Sequence, residues 1–148
     1  MSDTTSAAPL SAPLYDATFG QAISRFFKKY GTFSGRASRS EFWWFFLFNF
    51  IVSGVLYGIA AIVGASSAGV SDTGMYMQGP AFWLAAIPYW LWLLVTIVPW
   101  LALCWRRLHD TDKSGGFYFL GLIPFVGGII LLVLLALPSD PAGARFDR

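Results

Sequence analysis

The sequence predicts an all-α integral membrane protein with three membrane-spanning helices, preceded by a short interfacial amphipathic helix. Hydrophobic residues make up 56% of the 148 positions and charged residues only 12%, about half the roughly 25% of a typical soluble domain. Three stretches of more than twenty residues carry no charge, and the segments between them differ in their basic residues. Lipid is therefore the expected solvent for most of the chain.

The amino-terminal segment divides into a polar tail and an amphipathic helix. Residues 1–17 are small, polar and proline-containing, which predicts a disordered tail. Over residues 19–30, apolar side chains recur at helical spacing with basic side chains largely opposite. This pattern predicts either an interfacial helix on anionic headgroups or an amphipathic helix packed against the protein's own spans. The apolar set is Phe19, Ile23, Phe26, Phe27 and Tyr30, and the basic set is Arg25, Lys28 and Lys29.

Residues 18–148 are predicted to form a single membrane domain. Ser38 followed three residues later by Glu41 is a capping-box pattern, so the first long helix is expected to begin near Ser38. The first span then covers residues 42–64, which is long enough to cross a hydrocarbon core of about 30 Å. Residues 65–79 are rich in Ser and Gly and are expected to form a loop.

Two further spans are predicted at residues 80–105 and 117–137, followed by a polar carboxyl-terminal tail. Pro88 and Pro99 are expected to kink the second span, because neighbouring helices can satisfy the freed carbonyls. Glycines and a proline make the first half of the third segment irregular, so this span is expected to be bent. The alternative is a re-entrant path over Phe117–Gly128, in which the chain returns to the side it came from.

The basic residues predict the orientation of the chain in a bacterial inner membrane. Five precede the first span, none lies in the first loop, three lie in the second loop and two in the tail. Short cytoplasmic loops are enriched in Lys and Arg, so the amino terminus and the second loop are expected in the cytoplasm. Three full spans would place the carboxyl terminus outside, whereas a re-entrant third segment would return it to the cytoplasm.

Two polar motifs are expected to meet at the cytoplasmic interface. GRASRSE, at residues 35–41, precedes the first span, and RRLHD, at residues 106–110, follows the second. Their arginines are expected to pair with Glu41, Asp110 and Asp112, because charge near a low-dielectric medium is tolerated when it is paired. The candidate site residues are Arg36, Arg39, Glu41, Arg106, Arg107, His109, Asp110 and Lys113, with Ser38 as the helix cap.

The same motifs carry a resemblance to a known family. The phrase FSGRASRSEFWWFFLFN, followed by RRLHDTDKSG and by the ending IPFVGGIILLVLLALPSDPAGARF, resembles the bacterial membrane proteins called the domain of unknown function 805 family. The resemblance covers about residues 25–146. It implies a small inner-membrane protein with three or four helical segments, and it implies no biochemical activity.

Three functions compete for the polar residues. Arginines bind phosphate oxygens bidentately, so they can hold an anionic lipid headgroup, or they can form a structural clasp that sets topology. A transporter or channel component, with Asn49 lining a path, is disfavoured because no span contains an ionisable group. An enzyme using His109 and Asp110 is disfavoured because sequence neighbours on a helix point to different sides, with no activated nucleophile nearby.

The sequence therefore favours a non-catalytic binding or scaffold role. No catalytic residue and no cofactor are predicted, and one histidine with one cysteine gives no spacing for a metal site. The expected partners are the lipid bilayer, anionic phospholipid, and another membrane protein or a second copy of the chain. Nucleic acid is not an expected partner.

Overall fold

The computed structural model describes residues 8–147 and is mostly helical. One compact unit combines the residues up to Phe46 with those from Val98 onward, and a second comprises Leu47–Ile97. The helices are α1 (Phe19–Lys28), α2 (Arg39–Ala65), α3 (Pro80–Ala85), α4 (Ile87–Asp110) and α5 (Gly127–Ala136), with a first 3₁₀ helix at Gly115–Leu122 and a second at Pro141–Phe146. Two short strands, β1 (Gly69–Val70) and β2 (Tyr76–Met77), pair antiparallel.

Two segments are long and apolar enough to cross a membrane. They are α2, with 27 residues, and Pro80–Asp110, with 31 residues, which joins α3 to α4. Only 6% and 17% of their most apolar stretches are buried within the protein, and Ile62 and Leu94 are among the exposed side chains. Continuous exposed apolar surface of this length suits lipid better than water. The helices coincide with the first and second predicted spans.

The second predicted span is interrupted near its start. Helix α3 ends at Ala85 and α4 begins at Ile87. Pro88 lies in the first turn of α4, where its missing N–H removes no helical hydrogen bond, while Pro99 lies inside the helix. The irregularity predicted from the two prolines therefore takes the form of a helix break just before Pro88.

The predicted loop between α2 and α3 contains the β1–β2 hairpin. Gly69 pairs with Met77 across the two strands. Gly74 turns the chain with a φ of 77°, a left-handed conformation that glycine adopts without a Cβ clash. Its N–H donates to the Ser71 carbonyl at 2.8 Å, so the reversal depends on glycine at this position.

Close packing of α2 against α3 forms the small core of the second unit. Ala60, Phe82 and Ala86 are buried together. Gly64 of α2 approaches so closely that an added Cβ would lie 2.5 Å from the Cβ of Phe82. Tyr57 makes an edge-on contact with the same ring, with centroids 6.0 Å apart. The absence of a side chain at position 64 allows this approach.

Replacing Gly64 by Ala is expected to destabilise the protein by about 1–3 kcal/mol, because the added methyl group overpacks the contact with Phe82. Gly58→Ala is the matched control, since an added Cβ there has no neighbouring atom within 4 Å and alanine favours a helix. Thermal unfolding of the purified variants in detergent measures the difference. Equal midpoints for the two variants would contradict the close contact.

The third hydrophobic segment differs from the span predicted at residues 117–137. It forms the first 3₁₀ helix and then α5, whose ten residues rise only about 15 Å against a core of about 30 Å. An added Cβ on Gly121 would lie 3.0 Å from the Leu131 side chain, and one on Gly127 would lie 2.2 Å from the Leu120 carbonyl oxygen. The segment doubles back, and residues 8–147 contain no third helix long enough to cross a membrane.

Residues 8–17 make defined contacts, which corrects the predicted disorder for that part of the tail; residues 1–7 lie outside the described residues. The Arg25 guanidinium donates to the backbone carbonyls of Ala8, Pro9 and Ala12. Composition did not reveal this packing, because the interaction uses backbone carbonyls.

Capping boxes start both α1 and α2. At α1, the Gln21 N–H donates to the Thr18 hydroxyl, and the Gln21 side chain accepts from the Thr18 N–H at 2.9 Å. At α2, the Ser38 N–H donates to Glu41 Oε2 at 2.9 Å, and the Glu41 N–H donates to Ser38 Oγ at 3.2 Å. The capping box predicted at Ser38 is therefore confirmed, and α2 begins at Arg39.

Helix α1 packs on α2 through one face, as the second of the two predictions for it requires. Phe26 is buried and stacks on Phe45, with the ring planes 12° apart. The basic residues do not share a face, because Lys28 is exposed whereas Arg25 and Lys29 are buried. The expectation that the basic side chains lie largely opposite the inward-packing apolar face is therefore wrong for Arg25 and Lys29.

Candidate functional site

The two polar motifs meet where α2 starts and α4 ends. The Ala37 N–H donates to the Arg106 carbonyl at 3.0 Å, and His109 Nδ1 lies 3.0 Å from the Gly35 carbonyl oxygen. The motif at residues 35–41 therefore lies against the last turn of α4. The polar cluster is defined as Arg25, Lys29, Arg36, Arg39, Glu41, Arg106, Arg107, His109, Asp110 and Asp147.

Asp110 is the centre of the polar cluster. Its buried Oδ2 lies 2.5 Å from Arg107 Nη1 and accepts from the Ser139 hydroxyl. Its Oδ1 accepts from the Tyr15 hydroxyl at 3.2 Å and lies 3.7 Å from Arg36 Nη1. Burial and the negative charge of Asp110 raise the pKa of Tyr15. One carboxylate thus joins the amino-terminal segment, the α1–α2 loop, α4 and the tail.

Two arginines of the predicted site hold the end of α5. Arg107 Nε donates to the Leu135 carbonyl at 2.9 Å, and its Nη2 donates to the Leu137 carbonyl. Arg39 donates to the Ala136 carbonyl. The last carbonyls of a helix lack partners within the helix, and cations there also interact favourably with its dipole. Both side chains therefore have a structural partner.

Both ends of the third hydrophobic segment lie at the α4 end that carries the polar cluster. Gly115, at the start of the first 3₁₀ helix, is so close to Trp105 that an added Cβ would lie 2.0 Å from the indole ring. Leu137, at the far end of the segment, is bound by Arg107. The segment therefore leaves and returns to the same end of α4.

The carboxyl-terminal tail completes the polar cluster. Arg36 Nε and Nη2 donate to the carboxylate of Asp147 at 2.6–3.0 Å. This hydrogen bonding raises the pKa of Arg36. The Gly35 N–H donates to the Phe146 carbonyl at 2.8 Å. The tail is therefore fixed against the α1–α2 loop by both a charge pair and the backbone.

The contacts of His109 are ones that hold the fold together. Its imidazole stacks on Phe146, with ring centroids 4.0 Å apart and planes 4° apart, and its Nδ1 faces the Gly35 carbonyl. The side chain is 7% exposed. Asp110 is bonded to Arg107, Tyr15 and Ser139 instead. The arrangement does not form the acid/base pair that the adjacent positions suggest.

The charge pairs differ in part from the expected ones. Glu41 pairs with Arg25 and not with an arginine of the two motifs. Asp112 pairs with the exposed Arg145 at 2.9 Å. Lys113 donates to the Thr111 carbonyl at 3.0 Å and contacts no member of the polar cluster through a hydrogen bond or ion pair among the described residues. Of the three acids, only Asp110 pairs with the motif arginines as predicted.

Sequence reasoning missed Arg25 and Lys29, which are both buried in the polar cluster. Arg25 lies on α1 and Lys29, four residues further on, directly follows the helix, and Phe26 between them also packs inward. Spacing of three or four residues places helix side chains on one face. That spacing is the available signal, but the amphipathic pattern places these basic residues opposite the apolar face and so does not reveal their burial.

Lys29 and Arg106 leave cationic nitrogens without a partner. Lys29 is 2% exposed and Arg106 is 1% exposed. Arg106 Nε donates to the Ala102 carbonyl at 3.1 Å, but Arg106 Nη2 and Lys29 Nζ have no hydrogen-bond partner among residues 8–147. A buried charge without a partner is costly, so these two groups are the exception in a cluster whose other members bond to groups of the protein.

Burial makes Lys29 a source of pH-dependent stability. Burial lowers its pKa to about 8, with Arg106 and Arg25 adding repulsion against the attraction of Glu41. Below about pH 8, Lys29 is protonated in the folded state, and burial of that charge lowers the free energy of unfolding. This loss of stability shrinks as the pH rises above about 8 and disappears near the ordinary lysine pKa. Between about pH 7.5 and 9.5, the melting temperature of the wild type is expected to rise relative to that of Lys29→Met. If the melting temperatures of the wild type and Lys29→Met changed in parallel with pH over that range, the lowered pKa of Lys29 would be contradicted.

The other predicted features offer no alternative site. Asn49 Oδ1 accepts from Trp92 Nε1 at 2.9 Å, so the amide of the first span is used in helix packing. Cys104 is buried. Within residues 8–147, no three His, Cys, Asp or Glu side chains come together to hold a metal ion. The polar cluster therefore stands as the candidate site.

The stretch that builds most of the polar cluster is similar to known bacterial proteins. The family model described as "Protein of unknown function (DUF805)" matches residues 30–148. Inner membrane protein YhaI of Escherichia coli (strain K12) is 37% identical over 123 residues, covering 82% of this chain and 87% of that protein. Inner membrane protein YhaH of the same strain is 34% identical over 119 residues, covering 80% and 87%. No solved structure matches the chain significantly.

Proposed function

Because the chain belongs to the DUF805 family, as its two motifs predict, and its relatives in Escherichia coli are inner membrane proteins, we propose that it is a non-catalytic binding and scaffold protein that contacts anionic phospholipid. The contact is made on the cytoplasmic side, where the basic residues accumulate in the sequence. That side follows from the enrichment of cytoplasmic loops in Lys and Arg.

The observation that carries this proposal is the division of the basic residues into two sets. Arg36 and Arg107 are engaged by Asp147 and Asp110 and tie segments together. Lys28 is exposed beside the exposed aromatic rings of α1, and Arg39, which donates one hydrogen bond to the Ala136 carbonyl, is exposed as well. Exposed cations beside aromatic rings are typical of helices that lie in the membrane interface. The paired set supports a scaffold, and the exposed set supports binding to headgroups.

The proposed topology has two membrane spans and one re-entrant hairpin. Helix α2 and the segment Pro80–Asp110 have the length of spans. Residues 115–137 enter the bilayer and return, because the segment doubles back on itself and its exposed side chains, such as Leu122 and Ile129, are apolar. The amino terminus, the α4 end and the tail then all lie in the cytoplasm, in place of the three full spans expected from hydropathy.

Retention of anionic lipid tests the binding proposal. Native mass spectrometry of the detergent-extracted wild type is expected to show bound phosphatidylglycerol, and the double variant Lys28→Gln with Arg39→Gln is expected to retain several-fold less, because exposed cations attract anionic headgroups at about 1 kcal/mol each. The double variant Lys28→Arg with Arg39→Lys keeps both charges and serves as the control. Equal retention by all three proteins would reject the surface contact.

A further inference from the structure

We propose that Lys29 and Arg106 form an interior binding site for a phosphate-type oxyanion, enclosed between α1, the start of α2 and the end of α4. This site is separate from the surface contact proposed above, because the side chains of Lys29 and Arg106 are buried. The anion class covers free phosphate and the phosphodiester of a lipid headgroup, which present the same oxygens to a cation.

The first argument is burial without a partner. Lys29 Nζ and Arg106 Nη2 are each covered by protein and have no hydrogen-bond partner among the described residues. Buried polar atoms are almost always bonded to protein, water or a ligand. Two such cationic atoms in the same compact unit point to an acceptor that the protein itself does not supply.

The second argument is the charge balance around these atoms. Arg25, Lys29 and Arg106 bring three buried positive charges, while Glu41 is ion-paired with Arg25 and attracts the other two only through its charge. Among these residues, two positive charges remain without compensation. A doubly charged oxyanion would neutralise them, whereas a single carboxylate would not.

The third argument is that the nearby acids are already engaged. Glu41 Oε1 is bonded to Arg25, and its Oε2 accepts from the Ser38 and Leu14 N–H groups. Asp147, which also influences Lys29 through its charge, is held by Arg36. Neither carboxylate hydrogen-bonds to Lys29 or Arg106 among the described residues.

The chemistry of the two donors selects the anion. A guanidinium N–H and an ammonium group are both strong donors to phosphate oxygens, and hydrogen bonds to an ionised acceptor are about twice as strong as neutral ones. Neither side chain is an acceptor, so a cation would gain no hydrogen bond here, whereas a neutral hydroxyl could accept one but would leave both positive charges uncompensated. The site therefore takes an oxyanion.

Thermal unfolding of the full-length protein in neutral detergent, stripped of lipid, tests the site with inorganic phosphate as the probe. Titration is done at constant ionic strength in gluconate buffer and at about pH 7, where lysine is protonated. The wild-type melting temperature is expected to rise with phosphate concentration, as it does for a ligand that binds only the folded state. No response beyond that to gluconate, in both the detergent and the lipid arms, would overturn the proposal.

Lys29→Met and Lys28→Met form a matched pair that removes the same charge from neighbouring positions. Lys28→Met is expected to respond to phosphate as the wild type does. Lys29→Met is expected to lose at least tenfold in apparent affinity and to melt higher than the wild type without anion, because it removes an unpartnered buried cation. A second variant, Arg106→Gln, is expected to lose apparent affinity for phosphate in the same way. Lys29→Met decides the matter even if that second variant does not fold, and a wild-type response in Lys29→Met would overturn the site.

A lipid arm distinguishes the two sources of the oxyanion. Nanodiscs containing phosphatidylglycerol are compared with nanodiscs of phosphatidylcholine alone, without inorganic phosphate. Stabilisation by inorganic phosphate in detergent assigns the site to a free anion, and Lys29-dependent stabilisation by phosphatidylglycerol alone assigns it to a headgroup. Loss of lipid retention in the Lys28 and Arg39 variants with an unchanged phosphate response would uphold both proposals separately.

Discussion

Replacing Asp110 by Asn is expected to destabilise the protein by about 3–5 kcal/mol, the range found when one partner of a buried ion pair is removed. The change leaves Arg107 without its carboxylate and weakens the charge balance of Arg36. Tyr15 and Ser139 lose a charged acceptor at the same time. The amide is of similar size, so the effect arises from charge and not from a cavity.

The measurement is the thermal unfolding midpoint of purified protein, together with its level in the membrane fraction. Asp112→Asn is the matched control, because Asp112 pairs with Arg145, which is largely exposed, and such pairs contribute at most about 1 kcal/mol. A midpoint for Asp110→Asn as high as that of Asp112→Asn would show that Asp110 does not hold the polar cluster together.

Green fluorescent protein fused after the carboxyl terminus is expected to fluoresce, and alkaline phosphatase fused at the same point is expected to be inactive. The reason is the position of the tail, which Arg36 binds through Asp147 and which follows a segment anchored by Arg107 at Leu137. The tail therefore lies on the side of the α1–α2 loop, which the basic residues predict to be cytoplasmic.

Fusions in the β1–β2 turn supply the control for this experiment. That loop follows the first span and contains no Lys or Arg, so both reporters are expected to give the opposite result there. An active phosphatase at the carboxyl terminus would restore the model with three full spans. The expected effect is all-or-none, because each reporter works on only one side of the membrane.

The parts of the fold that sequence predicted are those governed by local rules. Uncharged length alone located α2 and the segment Pro80–Asp110, and the pair Ser38 and Glu41 located the helix start. The convergence of the two motifs also followed, because both flank spans at the same predicted interface. These inferences require only the identity of residues close together in the chain and the thickness of a bilayer.

The remaining features depend on contacts between distant residues. Hydropathy does not distinguish a span from a hairpin, since residues 117–137 are apolar throughout, and the reversal rests on the close approach of Gly127 to Leu120. Likewise, the sequence contains several arginines that could pair with Glu41, and only tertiary packing selects Arg25 as its partner. Residue types identified most members of the polar cluster, but they did not show which members pair with each other.

The capping of α5 by Arg107 and Arg39 sets a fixed length for the chain between the end of α4 and the tail. A substitution among the exposed apolar residues, such as Ile129 or Val133, leaves the capped carbonyls in place. One inserted residue within α5 would rotate the last turn by about 100° and move the Leu135 carbonyl away from its donor. Natural variation in this segment should therefore consist of exchanges of side chains, with insertions and deletions rare.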